Sequence, residues 1–479
     1  MNNNSIPLVV DLDGTLIKSD LLFETASALI IKSPAKLFHI IRLALSSRSL
    51  LKSYLAESVA IDPSLLPFNQ EVIALLKDEK LKGRKIILAT ASNSIPANLT
   101  ATHLNLFDEI FASEKNLNLK SHDKKQLLEI KFGKGGFDYI GNDYADIPIW
   151  KSARKAYLVS TSRQLISRVN RIGNLDAVIH SGKPPLLQPL IKSMRPHQWL
   201  KNLLIFIPLF AAQLYSNIPS ILSAFLAFIA FGLTASSAYV LNDLVDINDD
   251  RRHPRKKFRP FAAGNISLIY GWVLWPTLLV AALLISFLSL PKAFVTVLTT
   301  YLFLTLAYSF ILKRKVIVDA LTLAALYTLR IIAGIYAIGV PLSFWLLSFS
   351  MFFFLSLALV KRFSEIKSIQ SSEAHASLAG RGYYLEDLEL VSSMGIGSGY
   401  ISILVLALYI QDISSSHLYP HPEFIWLACP LLLFWISRIW LISHRGKMHD
   451  DPVFFAAKDK ISWCSLAGLI LLFFLARFF

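Results

Sequence analysis

The chain has 479 residues, 54% of them hydrophobic, with a mean hydropathy of +0.50 and a formal net charge of +15. So apolar a composition at this length excludes a wholly soluble protein, and two cysteines, Cys429 and Cys464, both inside apolar runs, exclude a disulfide framework. The basic residues fall in short loops between apolar runs, a placement that fits membrane topology, anionic lipid and phosphate-bearing substrates, and not nucleic acid.

The chain opens with MNNNSIPLVVDLDGT, which lacks the basic-then-apolar order of a signal peptide, so the first domain is expected in the cytoplasm. From Leu8 to Ile179 short apolar runs alternate with helical periodicity. PLVVDL, KIILAT, EIFAS, DYIGN and AYLVS read as strands, and NQEVIALLKDEKL and KKQLLEIKFG as helices between them. Strands separated by helices predict an α/β domain with a parallel, doubly wound sheet. Residues from about Asp20 to Pro67 read as an all-helical insertion beside the first strand. The expected division is an α/β domain over 1–182, a linker and interfacial segment over 183–198 containing SGKPPLLQP, and an all-α membrane domain over 199–479.

By the length that a bilayer demands, the membrane half divides into about nine spans. They are roughly 200–215, 218–241, 268–290, 292–312, 317–340, 342–363, 392–413, 422–443 and 461–479. Alternate loops are basic: one holds Arg251 to Arg259, one Lys313, Arg314 and Lys315, one Lys361, Arg362, Lys367 and Arg381, and one Arg445, Lys447, Lys458 and Lys460. The other loops, YSNIPS, SLPK, GVPLS and QDISSSHLYPHPEF, hold only Lys292. The basic side is therefore expected in the cytoplasm with the α/β domain, the C-terminus outside, and the whole chain multi-pass in a bacterial inner membrane.

Two motifs carry chemistry. In VVDLDGT, Asp11 and Asp13 follow a buried strand at the carboxyl edge of the sheet, where ligand sites of open α/β sheets lie. They face the same way, and two carboxylates side by side need a cation. The stretch 7–160 resembles the haloacid dehalogenase (HAD) superfamily of phosphohydrolases. That resemblance implies that Asp11 is the nucleophile and Asp13 the general acid/base. It implies that Thr90 in IILATAS binds phosphate, that Lys124 or Lys120 neutralises charge, and that YIGNDYAD supplies acidic Mg²⁺ ligands. The usual Gly-Asp of that last motif is Gly141-Asn142 here, which leaves Asp143 and Asp146 as the acids available.

The second motif is NDLVDINDDRRHPRKKFRP. Asp243, Asp246 and Asp250 are spaced by three and four, so a helix puts them on one face, with Asn242 beside them. Acids at the end of a span suit a cation, and Mg²⁺ binds through a few carboxylates plus substrate phosphates, which the following bases can neutralise. With RPFAAG downstream, the region 190–479 resembles the UbiA superfamily of intramembrane prenyltransferases, whose NDxxDxxxD motif binds a diphosphate through Mg²⁺. Tyr308 and Lys313 resemble that family's tyrosine and lysine near the active site. Where aromatic prenyltransferases carry a second aspartate-rich segment, this chain has LVKRFSEIK, with Lys361 and Arg362. Together with RPHQWLKN, which adds Arg195 and Lys201, this resembles the branch that transfers phosphoribosyl to decaprenyl phosphate. The resemblance implies Mg²⁺-dependent transfer of 5-phosphoribosyl from phosphoribosyl diphosphate to a polyprenyl phosphate. Lys256 and Arg259 would face the leaving group, and the HAD-like domain would dephosphorylate the product. The alternative is prenyl transfer from an isoprenyl diphosphate to an aromatic or other acceptor. The oligomeric state is left open.

Overall fold

A computed structural model describes residues 6–114, 119–180, 182–368, 381–411, 419–448 and 451–478. The first five residues and positions 412–418 of the QDISSSHLYPHPEF loop lie outside them. The chain divides into two units, Met1–Arg195 with Tyr239–Pro276, and Pro196–Ala238 with Thr277–Phe479.

The first unit is built on a six-stranded parallel sheet. Its strands are β1 (Leu8–Val10), β2 (Ile86–Asn93), β3 (Glu109–Ser113), β4 (Asp138–Gly141), β5 (Ala156–Val159) and β6 (Leu175–Ile179), in the order β3-β2-β1-β4-β5-β6. Helices cover both faces, so the central strand β1 is apolar throughout: Leu8, Val9 and Val10 have no exposed surface. All five expected strands form. The sixth was not expected, because LDAVI lies at the sheet edge with Asp176 as its second residue and shows no clean alternation. The insertion is helical as expected, with helices Leu21–Lys32, Leu37–Ser46 and Arg48–Ser58 around a core of Leu29, Ile30, Ile40, Leu51 and Leu55. The expected linker is partly ordered into the helix Leu187–Met194.

The helix Ile218–Val245 carries the acidic motif into the first unit. It breaks at Asp246 and resumes as Ile247–Arg252. Arg251 fixes this turn to the α/β domain: its Nη1 and Nη2 donate to Glu24 Oε2 and Oε1 at 3.0 and 2.6 Å, and Nε donates to the carbonyl of Ala262 at 3.2 Å. Both charged groups are buried, and the bidentate fork is the strong form of such a pair. Trp272, at the start of the helix Leu268–Ser289, donates from Nε1 to Ser27 Oγ at 3.2 Å and packs against the insertion core.

Eight helices, counted among the described residues, are long and apolar enough to cross a membrane. They run over Ile218–Val245, Leu268–Ser289, Lys292–Phe310, Val318–Ile338, Phe344–Lys367, Leu385–Ile410, Glu423–His444 and Lys460–Phe478, and they match eight of the nine expected spans. The ninth expectation, 200–215, is corrected. That stretch is a 3₁₀ helix over Pro196–Phe206 followed by a short α-helix, Ile207–Ala211. The side chains of Asn202 and Arg330 explain its hold: Arg330 Nε donates to Asn202 Oδ1 at 2.9 Å and Nη2 donates to Tyr301 Oη at 2.9 Å, all buried. Gly334 lets the backbones meet, since a Cβ there would stand 2.1 Å from the carbonyl oxygen of Ile205. A 3₁₀ helix rises about 2 Å per residue, so the segment still extends about 30 Å without being a long α-helix.

Asp138 anchors the sheet. It is fully buried and accepts from Arg154 Nε at 3.0 Å, Arg154 Nη2 at 2.8 Å, the Lys155 amide at 3.1 Å and Arg84. Removing one side of a buried pair leaves the other charges without compensation. Asp138→Ala is expected to lower stability by about 3–5 kcal/mol, against under about 1 kcal/mol for Asp78→Ala in the exposed Lys82 pair. Equal losses in chemical unfolding would refute this account.

Candidate functional site

At the carboxyl edge of the sheet, Asp11 and Asp13 lie where the sequence puts them. Lys124 Nζ donates to Asp11 Oδ1 at 2.7 Å and to Tyr139 Oη at 3.1 Å, so Lys124 and not Lys120 is the partner of Asp11. Asp13 Oδ1 accepts from the Leu21 amide at 2.8 Å, and its Oδ2 accepts from Ser92 Oγ at 2.6 Å and Thr90 Oγ1 at 3.5 Å. Ser92 was not expected in the site, although it lies two residues beyond Thr90 and strand alternation turns both toward the same face. Burial, reinforced by Asp146 and Asp13 against the opposing pull of Lys124, pushes the Asp11 carboxyl up to about 7. Burial and then Asp20 push Asp13 up to about 6. Burial lowers the Lys124 ammonium, but Asp11 and Asp146 outweigh it and hold that group above its usual value.

Asp11 and Asp13 thus form a buried, under-neutralised pair that fits a divalent cation. Asp143 and Asp146, expected as acidic ligands, hold local hydrogen bonds here. Asp146 Oδ2 accepts the amides of Asn142 and Asp143 at 3.0 and 3.1 Å, and its Oδ1 accepts from Tyr139 Oη at 2.9 Å. Asp143 is exposed and accepts the Tyr144 amide at 2.6 Å. Asn142 is the residue turned to the DLDGT loop: its Oδ1 accepts from Thr15 Oγ1 at 3.1 Å, and a Cβ on Gly14 (φ +74°) would stand 2.3 Å from its Nδ2. An amide fills the place of the expected carboxylate.

In the acidic motif, Asp243 and Asp250 converge on one guanidinium. Arg259 Nη1 lies 3.2 Å from Asp243 Oδ1 and 2.6 Å from Asp250 Oδ2, and Arg195 also pairs with Asp243. Among the described residues no three His, Cys, Asp or Glu side chains stand together as a metal site. The arginines occupy these carboxylates, and one Arg259 nitrogen is shared by both acids. Asp246 is half-buried at the break and Lys256 is exposed in the turn Lys256–Phe258. Arg195 and Arg259, expected on phosphate, rest on acids here.

In the second unit the expected basic residues separate. Lys361 and Arg362 are adjacent, so on the helix Phe344–Lys367 they point about 100° apart. Lys361 Nζ and Lys201 Nζ both donate to Asp451 Oδ2, at 3.1 and 2.8 Å. Burial raises the Asp451 carboxyl, but Lys361 and Lys201 hold it well below the usual range. A small cavity of about 10 Å³ lies here, lined among others by Lys361, Asp451 and Tyr327. Asp451 was missed, although an acid in a loop rich in Arg and Lys is a visible signal. Arg362 takes a different part from the expected phosphate contact. It is fully buried, with Nε 2.5 Å from Asp319 Oδ2, Nη1 on Glu365 and Nη2 donating to Tyr308 Oη at 3.1 Å. Tyr383 Oη donates to Asp319 Oδ1 at 2.6 Å, and Arg381 donates to Tyr308 at 3.4 Å. Lys313 is half-buried in the turn Leu312–Arg314.

The Asp11–Asp13 pair gives a pH test. Both pKa values lie above those of the unfolded chain, about 3.9 for Asp, so the fold binds these protons more tightly. The stability they add is complete below about pH 4 and is lost as pH rises through about 6 and 7. In EDTA, the melting temperature of the α/β domain should fall from pH 5 to pH 8, and Asp13→Asn should shrink that fall. An Asp13→Asn profile parallel to wild type would contradict it.

The UbiA prenyltransferase family matches residues 203–463. The uncharacterized protein y4nM of Sinorhizobium fredii is 38% identical over 96% of this chain and 89% of its own. Decaprenyl-phosphate phosphoribosyltransferase of Mycolicibacterium smegmatis is 30% identical over 60% of this chain and 95% of its own. Among solved structures, a UbiA homolog from Archaeoglobus fulgidus bound to GPP and Mg²⁺ covers 59% of this chain and 99% of its own, at 15% identity and a TM-score of 0.47. A substrate-bound phosphoserine phosphatase covers 37% of this chain and 94% of its own, at 16% identity and a TM-score of 0.27. The chain is a multi-pass membrane protein with an N-terminal α/β domain on a parallel sheet, and it belongs to the UbiA prenyltransferase family.

Proposed function

We propose that the membrane part transfers 5-phosphoribosyl from phosphoribosyl diphosphate to a polyprenyl phosphate, with its acidic motif and basic loops at the cytoplasmic face of a bacterial inner membrane. The observation that carries this reading is the convergence of Lys201 and Lys361 on Asp451, with Lys361 in the LVKRFSEIK segment where prenyl-diphosphate users of aromatic acceptors hold a second acidic motif. Two ammonium groups against one carboxylate leave a positive charge that suits a phosphate that a prenyl donor does not have. Similarity to a decaprenyl-phosphate phosphoribosyltransferase over nearly all of that enzyme supports it.

Asp243, Asp246 and Asp250 would hold Mg²⁺, which supplies Lewis-acid polarisation of the diphosphate. Arg195 and Arg259, released from Asp243 and Asp250, neutralise oxygens of the departing diphosphate. The bond from the ribose carbon to diphosphate breaks and a bond from that carbon to a lipid phosphate oxygen forms. The nucleophile is already anionic, so no general base is needed. Asp243→Asn or Asp246→Asn is expected to abolish transfer of labelled phosphoribosyl diphosphate to extracted lipid, a loss of several kcal/mol of barrier stabilisation. Lys361→Ala is expected to cost about 1.5–3 kcal/mol in kcat/KM for the phosphorylated donor. Normal turnover in both aspartate variants at saturating Mg²⁺ sinks the assignment. Turnover with isoprenyl diphosphate and an aromatic acceptor, and none with phosphoribosyl diphosphate, replaces it by prenyl transfer.

We infer further that the HAD-like domain removes the 5-phosphate that this transfer leaves on the lipid-linked sugar. Asp11 would attack phosphorus, Asp13, bonded to Ser92, would protonate the departing sugar oxygen, and water would then release phosphate from Asp11; the contacts of Lys124 and Ser92 with these acids support the reading. In a radiolabel assay the wild type should accumulate polyprenyl-phosphoryl ribose and Asp11→Asn its 5-phosphorylated precursor. Equal accumulation of the phosphorylated lipid in both would make the domain a scaffold.

A further inference from the structure

The helix Leu37–Ser46 has three faces. Ile40 is buried, and Leu37 and Leu43 pack against the insertion core. The opposite face exposes Phe38 by 80%, Ile41 by 47% and Leu45 by 84%. At 100° per residue these three lie within about 60° of one another, and Arg42 flanks them. An apolar stripe of this kind on a helix edged by bases is unusual for a surface facing water.

Two observations identify what covers it. The first is charge. From Thr25 to Ala56 the sequence holds five basic residues, Lys32, Lys36, Arg42, Arg48 and Lys52, and no Asp or Glu; Lys52 turns inward to the carbonyl of Ala91, which leaves the others for the surface charge. The second is continuity. The core beneath this helix includes Trp272, at the start of the membrane-crossing helix Leu268–Ser289, tied by its indole N–H to Ser27. The core that holds the stripe thus reaches the end of a span, the level of lipid headgroups.

We propose that Leu37–Ser46 lies in the bilayer interface, with Phe38, Ile41 and Leu45 among the upper acyl chains and Lys36 and Arg42 at lipid phosphates. Amphipathic helices of this type bury their apolar face about 5–10 Å into the headgroup and acyl boundary. The HAD-like domain is then held to the membrane surface by its own insertion, in addition to its chain connection.

The test uses the full-length protein in nanodiscs containing phosphatidylglycerol, with Cys429 and Cys464 replaced by serine. Single nitroxide labels are placed through Phe38→Cys, Ile41→Cys and Leu45→Cys, with Leu81→Cys and Ile130→Cys as controls, exposed by 89% and 76% in the native chain. The expected result is high collision with oxygen and several-fold lower collision with a water-soluble nickel chelate at 38, 41 and 45, and the reverse at 81 and 130. Nickel access at 38, 41 and 45 equal to the controls overturns the proposal. Shielding from both agents, the mark of a second protein copy, also overturns it.

Discussion

A carboxylate removed from water must meet a counter-charge, and this requirement organises each site. Isolated, such a group would be too costly to keep ionised. Asp11 meets Lys124, Asp138 meets two arginines, Asp243 and Asp250 share Arg259, Asp319 meets Arg362, and Asp451 meets two lysines. The pairs differ in how far the balance is completed. Asp138 and Asp319 are enclosed by donors and serve architecture. Asp11 and Asp13 keep pKa values near neutrality, so their balance is open to another cation. Asp243 and Asp250 are matched by arginines on mobile-length side chains, a pairing that ligand charge can exchange.

The same requirement explains what could be read from the chain. The placement of Asp11 and Asp13 was legible from strand alternation and that of Asp243 and Asp250 from helical spacing, whereas the break at Asp246 was not. The four central strands were legible because burial on both faces leaves largely apolar runs. Asp451 was not, because its partners Lys201 and Lys361 lie 250 and 90 residues away. The opposite fates of Lys361 and Arg362 were hidden for the same reason: adjacency in sequence says only that they diverge on a helix, not what each meets. The 200–215 stretch misled by composition, since its apolar residues gave no sign that Asn202 and the Gly334 contact favour a tighter winding.

Asn142 stands against the DLDGT loop as an amide. Lys124 meets Asp11 and the hydroxyls of Thr90 and Ser92 meet Asp13, while the position after Gly141 carries no charge. The Asn142 carbonyl oxygen still points to Thr15, so the site keeps its packing with one less negative charge.

The Arg251–Glu24 fork also bears on how the chain assembles. Glu24 precedes Arg251 by 227 residues, so the ribosome delivers the carboxylate, its helix and the strands β1 to β6 before the guanidinium exists. Until then Glu24 must stay hydrated, and the insertion cannot close over it. The burial of Glu24 is compensated only once Arg251 is present, so this corner of the α/β domain depends on a residue synthesised after the first long apolar helix.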